Sequence, residues 1–113
     1  MVVQTMEEFT GTVTGPALLF VNVSWCGHCK RAQPAMGQVA EAMGAAVPVI
    51  SVDGDRHQAF VRERLGVESF PTILYLDAAG NTAKFEGERT PQQIMDFVCQ
   101  HSSTPHGFCR RRQ

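Results

Sequence analysis

The residues of this chain with the clearest chemical potential are two cysteines separated by two residues, Cys26 and Cys29. They follow a nearly all-apolar segment at 17–23 that is typical of a buried strand, and they precede a segment with helical spacing. A helix N-terminus carries unpaired N–H groups and about half a positive charge, so it favours an anion such as a thiolate. Because the thiolate is the form that attacks disulfides, the pattern predicts a redox-active dithiol. Cys26 is the expected exposed nucleophile, and Cys29, one turn deeper, the resolving thiol.

Two other interpretations of the cysteine pair are structural thiols and half of a zinc site. Zinc needs two further ligands, and the sequence holds no second pair with this spacing. The C-terminal segment offers Cys99, His101, His106 and Cys109, but their spacing is irregular. We therefore expect neither a metal nor another cofactor. Cys109 could pair with Cys99, with another chain or with nothing, and the sequence leaves these alternatives open.

Hydrophobic periodicity predicts the elements that must hold the cysteine pair in place. Apolar runs at 17–23, 47–52 and 72–76 are typical of buried strands, and residues 82–86 of a hairpin partner. Helical spacing continues from the cysteines as far as Gly44. The alternation of strands and helices predicts an α/β domain with a central mixed sheet and helices on both faces.

Three further helices are predicted from capping residues. Thr5 with Glu8 forms a capping box and predicts a short N-terminal helix. Asp55 is the expected cap of a helix in the middle of the chain. Thr90, with Gln93 as its box partner, predicts the last helix.

Length and composition limit the chain to one globular domain. It has 113 residues, of which 43% are apolar and 19% charged, which excludes a disordered chain. The longest apolar run, residues 17–21, is far shorter than the ~20 residues of a membrane helix. We therefore expect no membrane span.

The charge distribution excludes a nucleic-acid-binding protein. The net charge is −1, but three of the ten basic residues lie together at 110–112. The remainder is acidic, whereas a nucleic-acid binder would show a basic face on the fold itself. We interpret the arginines as part of a flexible tail over 102–113 that follows a single domain over 1–101.

Several short motifs together resemble the thioredoxin family. They are Trp-Cys-Gly-His-Cys-Lys at 25–30, Phe-Pro-Thr at 70–72 and a proline five residues after the second cysteine. The Cys-Gly-His-Cys sequence and Phe-x-Gly-x-Arg at 85–89 are most similar to the catalytic domains of protein disulfide isomerase. The resemblance implies a thioredoxin-like domain over residues 1–101.

The resemblance also implies a role for each residue of the active-site motif. Cys26 would form a mixed disulfide with the substrate and Cys29 would release it, with Gly27 in the dipeptide between them. His28, as a cation at the helix start, would stabilise the reduced Cys26 thiolate and make the domain a better oxidant. Arg89 would approach Cys29 and ease its deprotonation.

The residues expected around the motif form the substrate-binding surface. Trp25 is expected to be a partly exposed platform beside the cysteines. By the resemblance, Pro71 would be a cis-proline that faces the active site. Phe70 would present its backbone to a substrate peptide.

One departure from the family concerns the proton of Cys29. Family members usually bury an acid six residues before the first cysteine and, in isomerase domains, pair it with a lysine on the next strand. Here those positions hold Phe20 and Ser51. We therefore expect slow resolution of mixed disulfides, with the proton passing to water, His28 or Arg89.

These observations predict a monomeric thiol–disulfide oxidoreductase of isomerase type that forms, reduces or reshuffles disulfides in cysteine-containing protein substrates. A redox partner, which could be glutathione, a reductase or an oxidase, would restore its dithiol. The alternatives are a cytosolic thioredoxin-like reductase and a peptide-binding chaperone module that uses Trp25 and Phe70 as an apolar patch. The expected compartment is the endoplasmic reticulum lumen if a leader was removed, and otherwise the cytoplasm, because Glu7 and Glu8 precede any basic residue.

Overall fold

The structure is a computed structural model that describes residues 6–102 and 106–110. Within them, a five-stranded mixed sheet has the order β1-β3-β2-β4-β5. The strands are β1 (Met6–Glu8), β2 (Ala17–Asn22), β3 (Val49–Asp53), β4 (Thr72–Leu76) and β5 (Thr82–Lys84). β1, β3 and β2 pair in parallel, whereas β4 runs antiparallel to both β2 and β5. The predicted α/β class with a central mixed sheet is confirmed.

Three helices accompany the sheet in the described part of the chain: α1 (Gly27–Met43), α2 (Pro91–His101) and the short α3 (Gly107–Arg110). A 3-10 turn at Gly44–Ala46 follows α1, and a π-helical turn at Phe60–Arg64 lies between β3 and β4. α1 begins only a few residues after β2 ends. This tight strand-to-helix junction, in which β2 is almost fully buried, fixes the position of the cysteine motif.

The strand β2 alternates between the two faces of the sheet. Leu18 and Phe20 pack in a cluster with residues of α1 and α2. Leu19 and Val21 pack in a second cluster, which contains Phe9 and residues of the π-helical turn. Full burial of such side chains stabilises the fold by about 1.5–3 kcal/mol each. Because successive side chains of a strand point to opposite faces of the sheet, both faces of β2 are buried and the strand is held rigidly.

The predicted N-terminal helix is wrong. Met6–Glu8 forms the edge strand β1, which pairs in parallel with β3, and Thr5 lies outside the described residues. The Phe9 amide donates to the Ser51 carbonyl at 2.9 Å, and the Phe9 ring is 3% exposed. Pairing with β3 and burial of Phe9 require extended backbone, and they outweigh a capping pattern of only four residues.

Asp55 does not cap a helix as predicted. The preceding carboxylate, that of Asp53, accepts hydrogen bonds from the amides of Asp55 at 2.9 Å and Arg56 at 3.3 Å. The Asp55 carboxylate instead accepts a hydrogen bond from the Trp25 indole. The segment that follows closes as the π-helical turn Phe60–Arg64 rather than as a long regular helix.

The start of α2 agrees with the prediction in most respects. Thr90 is the N-cap, and its hydroxyl accepts a hydrogen bond from the Gln93 amide at 3.2 Å. The Gln93 side chain does not return to the Thr90 amide as a capping box requires. It accepts a hydrogen bond from the Glu88 amide at 3.3 Å, and this contact orders the loop that contains Arg89.

The segment that we predicted to be a flexible tail is anchored to the domain in its described part. Cys99 of α2 and Cys109 of α3 form a disulfide. Phe108 packs against the core cluster on the α1–α2 face, and the His106 ring stacks on Phe108 at a centroid distance of 5.2 Å. These contacts tie residues 106–109 to the domain. The predicted tail over 102–113 and the domain boundary at 101 remain predictions.

Candidate active site

Cys26 occupies the N-cap position of α1. Its backbone is extended, with φ −102° and ψ 114°, and its sulfur accepts a hydrogen bond from the Cys29 amide at 3.1 Å. One N–H group of the first helical turn, that of Cys29, therefore points towards this sulfur. Negative charge that develops there is stabilised by this N–H group and by the helix dipole.

The two sulfurs of the motif differ in exposure. Cys26 is 8% exposed and Cys29 is 1% exposed, and both are free thiols. They share a small cluster with Val23 and Phe70. The Cys26 thiol donates to the Phe70 carbonyl at 3.7 Å. Cys26, which we expected to be exposed, is therefore buried against Val23 and Phe70. It is still the more accessible cysteine of the pair, and its role as the attacking thiol remains a prediction.

Cys29 strongly favours its protonated form. Burial, together with a side-chain hydrogen bond and the nearby charge of Cys26, raises the pKa of Cys29 from 9.0 to about 11. A backbone hydrogen bond from Val23 and the positive charge of Arg89 act in the opposite direction. Cys29 must therefore lose a tightly held proton before it can act as a nucleophile.

The structure shows what stands in place of the family's acid and lysine. Phe20 and Ser51 are directly paired across β2 and β3, and Phe20 is 1% exposed. The Ser51 hydroxyl accepts a hydrogen bond from the Asn22 side chain at 3.0 Å. No carboxylate is buried among the residues that the structure describes. Cys29 therefore has no buried carboxylate in this part of the chain to accept its proton.

Trp25 is the large exposed apolar residue beside the cysteines. It is 69% exposed, and its indole N–H donates to the Asp55 carboxylate at 2.9 Å. Its ring meets Phe70 in a T-shaped arrangement with centroids 6.2 Å apart. The peptide bond between Phe70 and Pro71 is cis, as expected. The three residues predicted to bind substrate thus lie next to one another and next to Cys26.

Gly54 gives Phe70 the space that it occupies. A Cβ atom at Gly54 would lie 2.6 Å from the Phe70 ring and 3.0 Å from a Val23 methyl carbon. The Gly54 amide also donates to the Asn22 carbonyl at 2.8 Å, which fixes its position at the end of β3. Any side chain there would displace the ring that covers the cysteines.

Arg31 is a residue near the motif that the sequence reasoning missed. Its Nη2 lies 2.8 Å from Nδ1 of His28, and its Nη1 lies 3.6 Å from the point where a Cβ of Gly27 would be. A guanidinium group can only donate, so Nδ1 of His28 is the acceptor of this contact. The role of His28 as a cation at the helix start remains a prediction. In the sequence, this contact is indicated by the three-residue spacing of His28 and Arg31, which places both side chains on one face of α1.

Arg89 lies near the motif and lines a small open cavity together with His28. The cavity has a volume of about 130 Å³ and is lined by His28, Arg31, Ala32 and Arg89. The charge of Arg89 lowers the pKa of Cys29. This agrees with the proximity that the resemblance implied, while its catalytic role remains a prediction.

The described residues contain neither a candidate metal-binding cluster nor a helix that could span a membrane. In residues 6–102 and 106–110, no group of three or more His, Cys, Asp and Glu side chains is arranged to hold a metal ion. Cys99 and Cys109, two of the residues considered for such a site, are joined in the disulfide. Among the helices of these residues, none has the length and apolar character needed to cross a bilayer.

The mixed sheet, the dithiol at the start of α1 and the cis-proline beside it define the class of thioredoxin-fold proteins. A family model described as Thioredoxin matches residues 1–100. The chain belongs to the thioredoxin family.

The relatives and solved structures that this chain resembles include protein disulfide isomerases. Protein disulfide isomerase-like 1-1 of Arabidopsis thaliana is 32% identical over 89 residues, which cover 77% of this chain and 18% of that protein. The first thioredoxin domain of mouse protein disulfide-isomerase A4 is 26% identical, with a TM-score of 0.67 over 80% of this chain and 68% of that one. The J-Trx1 fragment of ERdj5 has a TM-score of 0.76 over 86% of this chain and 50% of that one, and its 17% identity supports the fold alone.

The chain is much shorter than the curated relatives that it matches. It spans 18% of the Arabidopsis protein and 16% of a disulfide isomerase from barley, Hordeum vulgare. The similarity therefore concerns one thioredoxin domain of proteins several times longer.

Proposed function

We propose that this chain is a thiol–disulfide oxidoreductase of the protein disulfide isomerase type, acting on cysteine-containing protein substrates. The observation that carries this proposal is the placement of the free Cys26 thiol at the N-cap of α1, one helical turn above Cys29. Similarity to disulfide isomerases over most of the chain supports the same activity.

The first step is the attack of Cys26 on a substrate disulfide. The Cys26 thiolate forms a bond to one substrate sulfur, the substrate S–S bond breaks, and the other substrate sulfur leaves as a thiolate that takes up a proton. The helix N-terminus stabilises the attacking anion before the reaction. The product is a mixed disulfide between Cys26 and the substrate.

The second step releases the substrate. Cys29 loses its proton and attacks the Cys26 sulfur, so that a Cys26–Cys29 disulfide forms and the second substrate sulfur leaves as a thiolate. The substrate has gained two electrons and the domain has lost two. Run in reverse, the same steps form a disulfide in the substrate, and a redox partner such as glutathione, a reductase or an oxidase resets the domain.

Substrate binding is assigned to Trp25, Phe70 and Pro71. The exposed Trp25 ring provides an apolar platform, and the Phe70 carbonyl lies beside the Cys26 sulfur, where a substrate chain must pass. Trp25 is held in place by Phe70 and Asp55. A pre-positioned ring of this kind binds peptides with little loss of side-chain entropy.

We propose the lumen of the endoplasmic reticulum as the compartment. The Cys99–Cys109 disulfide supports this choice, because disulfides persist in oxidising compartments and are rare in the cytosol. Similarity to disulfide isomerases favours the same compartment. Fractionation of cells that express the full-length protein tests it, and recovery in the cytosolic fraction alone would contradict it.

The activity is tested with a trapping experiment. Cys29→Ser should accumulate a stable mixed disulfide with a model substrate such as oxidised insulin, visible by non-reducing electrophoresis and reversed by dithiothreitol. Cys26→Ser is the matched control, since it keeps a cysteine in the motif but should form no such adduct. Equal adduct formation by the two variants, or none by either, would overturn the assignment.

The exposed Trp25 ring favours a second candidate function, a peptide-binding module with little redox turnover. The two functions differ in the reduction of insulin by dithiothreitol. An oxidoreductase accelerates the reduction, whereas a pure binder leaves the rate unchanged and still binds unfolded peptides. Recovery of activity from scrambled ribonuclease then separates an isomerase from a simple reductase.

A further inference from the structure

We propose that the active site selects substrates with a carboxylate close to the reacting disulfide, and that Arg31 and Arg89 bind this carboxylate. The inference rests on the proposed oxidoreductase function and specifies its substrate class. The carboxylate could belong to an acidic residue beside a substrate cysteine or to a small thiol such as glutathione.

Arg31 supplies a positive charge directly beside the motif. Its guanidinium extends back along the first turn of α1 towards Gly27, the residue next to Cys26. A Cβ atom built on Gly27 would lie 3.6 Å from Nη1 of Arg31. The contact with His28 at 2.8 Å holds it in this position. This contact uses Nη2, so the remaining N–H groups of the guanidinium can bind a ligand.

Arg89 supplies a second positive charge from a different element. It precedes the N-cap of α2 and lines the same cavity of about 130 Å³ as Arg31. Its influence on the pKa of Cys29 shows that its charge is felt within the motif. The cavity is therefore lined by two cations and by His28, the motif residue that precedes Cys29.

Neither cation is neutralised within the described part of the chain. No carboxylate of these residues forms an ion pair with Arg31 or Arg89. Asp55, the carboxylate that contacts the motif, accepts its hydrogen bond from Trp25 instead. The other residues around the sulfurs, Val23 and Phe70, are uncharged.

A carboxylate matches this site in charge and geometry. Guanidinium groups bind carboxylates through paired N–H donors, and two guanidinium groups that line one cavity can share one anion. A phosphate would fit the charge equally, but a disulfide substrate is a peptide or a peptide-like thiol, whose anionic group is a carboxylate. An acidic group near the substrate cysteine would bring the substrate sulfur towards Cys26.

The test compares matched peptide disulfides with the full chain. Two peptides differ only in an Asp or an Asn next to the disulfide cysteine, and the rate of mixed-disulfide formation is measured in the Cys29→Ser background. This background removes any effect of Arg89 on the second step. We expect the Asp peptide to react about three- to fivefold faster at low salt, as for a partly exposed ion pair. The advantage should shrink as ionic strength shortens the Debye length from about 30 Å at 0.01 M to about 10 Å at 0.1 M.

Arginine variants locate the effect. Arg31→Gln and Arg89→Gln should each bring the Asp/Asn rate ratio close to one, because each removes a cation from the cavity. The matched control is Arg64→Gln, which removes an exposed arginine of the π-helical turn and should keep the ratio of the parent protein. A ratio of one in the parent protein, or a ratio that survives Arg31→Gln, would overturn the proposal.

Glutathione disulfide and its ethyl ester distinguish the two sources of the carboxylate. Faster reaction with glutathione disulfide than with the ester, lost in Arg31→Gln, would show that the site also accepts the small thiol. Equal rates with both would confine the preference to acidic protein segments. If no disulfide reacts at all, the proposed oxidoreductase function fails, which is a different outcome from equal reactivity of the Asp and Asn peptides.

Discussion

The chain contains two cysteine pairs in opposite chemical settings. Cys26 and Cys29 lie at the N-terminal end of α1 as free thiols. Cys99 lies in the last turns of α2 and is bonded to Cys109 of α3. The first pair spans three residues and the second spans ten.

The difference shows how helix ends select the chemistry of a thiol. The positive end of α1 stabilises a thiolate, which is the reactive form. Cys99 lies at the opposite, negative end of its helix, and its sulfur is bonded to Cys109. One pair is therefore suited to exchange partners and the other to remain joined.

The largest expected effect concerns the pH dependence of substrate release. Burial, the largest cause of the raised pKa of Cys29, persists when Cys26 is bonded to a substrate, although the charge of Cys26 does not. The thiolate fraction of Cys29 should therefore rise about tenfold per pH unit below a pKa that burial keeps high. Between pH 7 and pH 9 the release of a preformed mixed disulfide should accelerate about a hundredfold. Stopped-flow release kinetics check this, with the Cys99–Cys109 disulfide as an internal control that should remain intact. A release rate that levels off below pH 8 would contradict the raised pKa.

Removal of the second disulfide should affect stability rather than turnover. Closing a loop of ten residues stabilises a fold by about 2–3 kcal/mol in the chain-entropy view. Cys99→Ser with Cys109→Ser should lower the free energy of unfolding by that amount in urea titrations, while insulin reduction stays within about twofold. Loss of turnover with unchanged stability would reverse the roles of the two pairs.

Replacement of Arg89 should separate the two steps at the first pair. Because the charge of Arg89 lowers the pKa of Cys29, Arg89→Ala should slow substrate release about three- to tenfold. Attack on a neutral peptide should slow less. Rapid-quench measurement of both steps provides the check, and equal slowing of both would argue against a role in deprotonation. Lys84→Ala, on β5, is the control for loss of a cation.

The smallest expected effect comes from restoring the family's buried charges. Phe20 and Ser51 are neighbours across β2 and β3, so Phe20→Glu combined with Ser51→Lys introduces an adjacent pair. The double variant should speed release about threefold by accepting the Cys29 proton. Phe20→Glu alone should destabilise the fold, because it buries an unpaired charge. Mixed-disulfide release and urea unfolding measure both effects, and an unchanged release rate in a folded double variant would refute the proton-acceptor argument.

Most of the fold could be predicted because its signals are local. The runs that became β2 and β4 are mostly apolar, and Thr90 caps α2 within its own sequence neighbourhood. β1 could not be predicted, because it is an edge strand of three residues that depends on hydrogen bonds to β3. The residues around β1 carry a helix-capping pattern, but pairing with β3, which is distant in sequence, outweighs it.

The candidate site likewise combines features that short motifs predict with features that they do not. Cys26, Cys29 and Pro71 carry a motif that is specific in combination, and the structure places them together. The contact between Arg31 and His28 depends on side-chain rotamers, and sequence gives only their spacing. The partner of Cys109 depends on how Phe108 docks on the core. Neither of these outcomes is encoded in a short motif.

Gly54 has a consequence for how the protein tolerates change. It has no functional group, yet its lack of a side chain sets how closely Phe70 approaches the cysteines. A Gly54→Ala protein would keep every reactive atom, but the Phe70 ring that packs against the cysteines would be displaced. A comparison of residues by their functional groups would overlook Gly54. A mutational scan of enzymatic activity should instead find Gly54 to be as sensitive as the two cysteines.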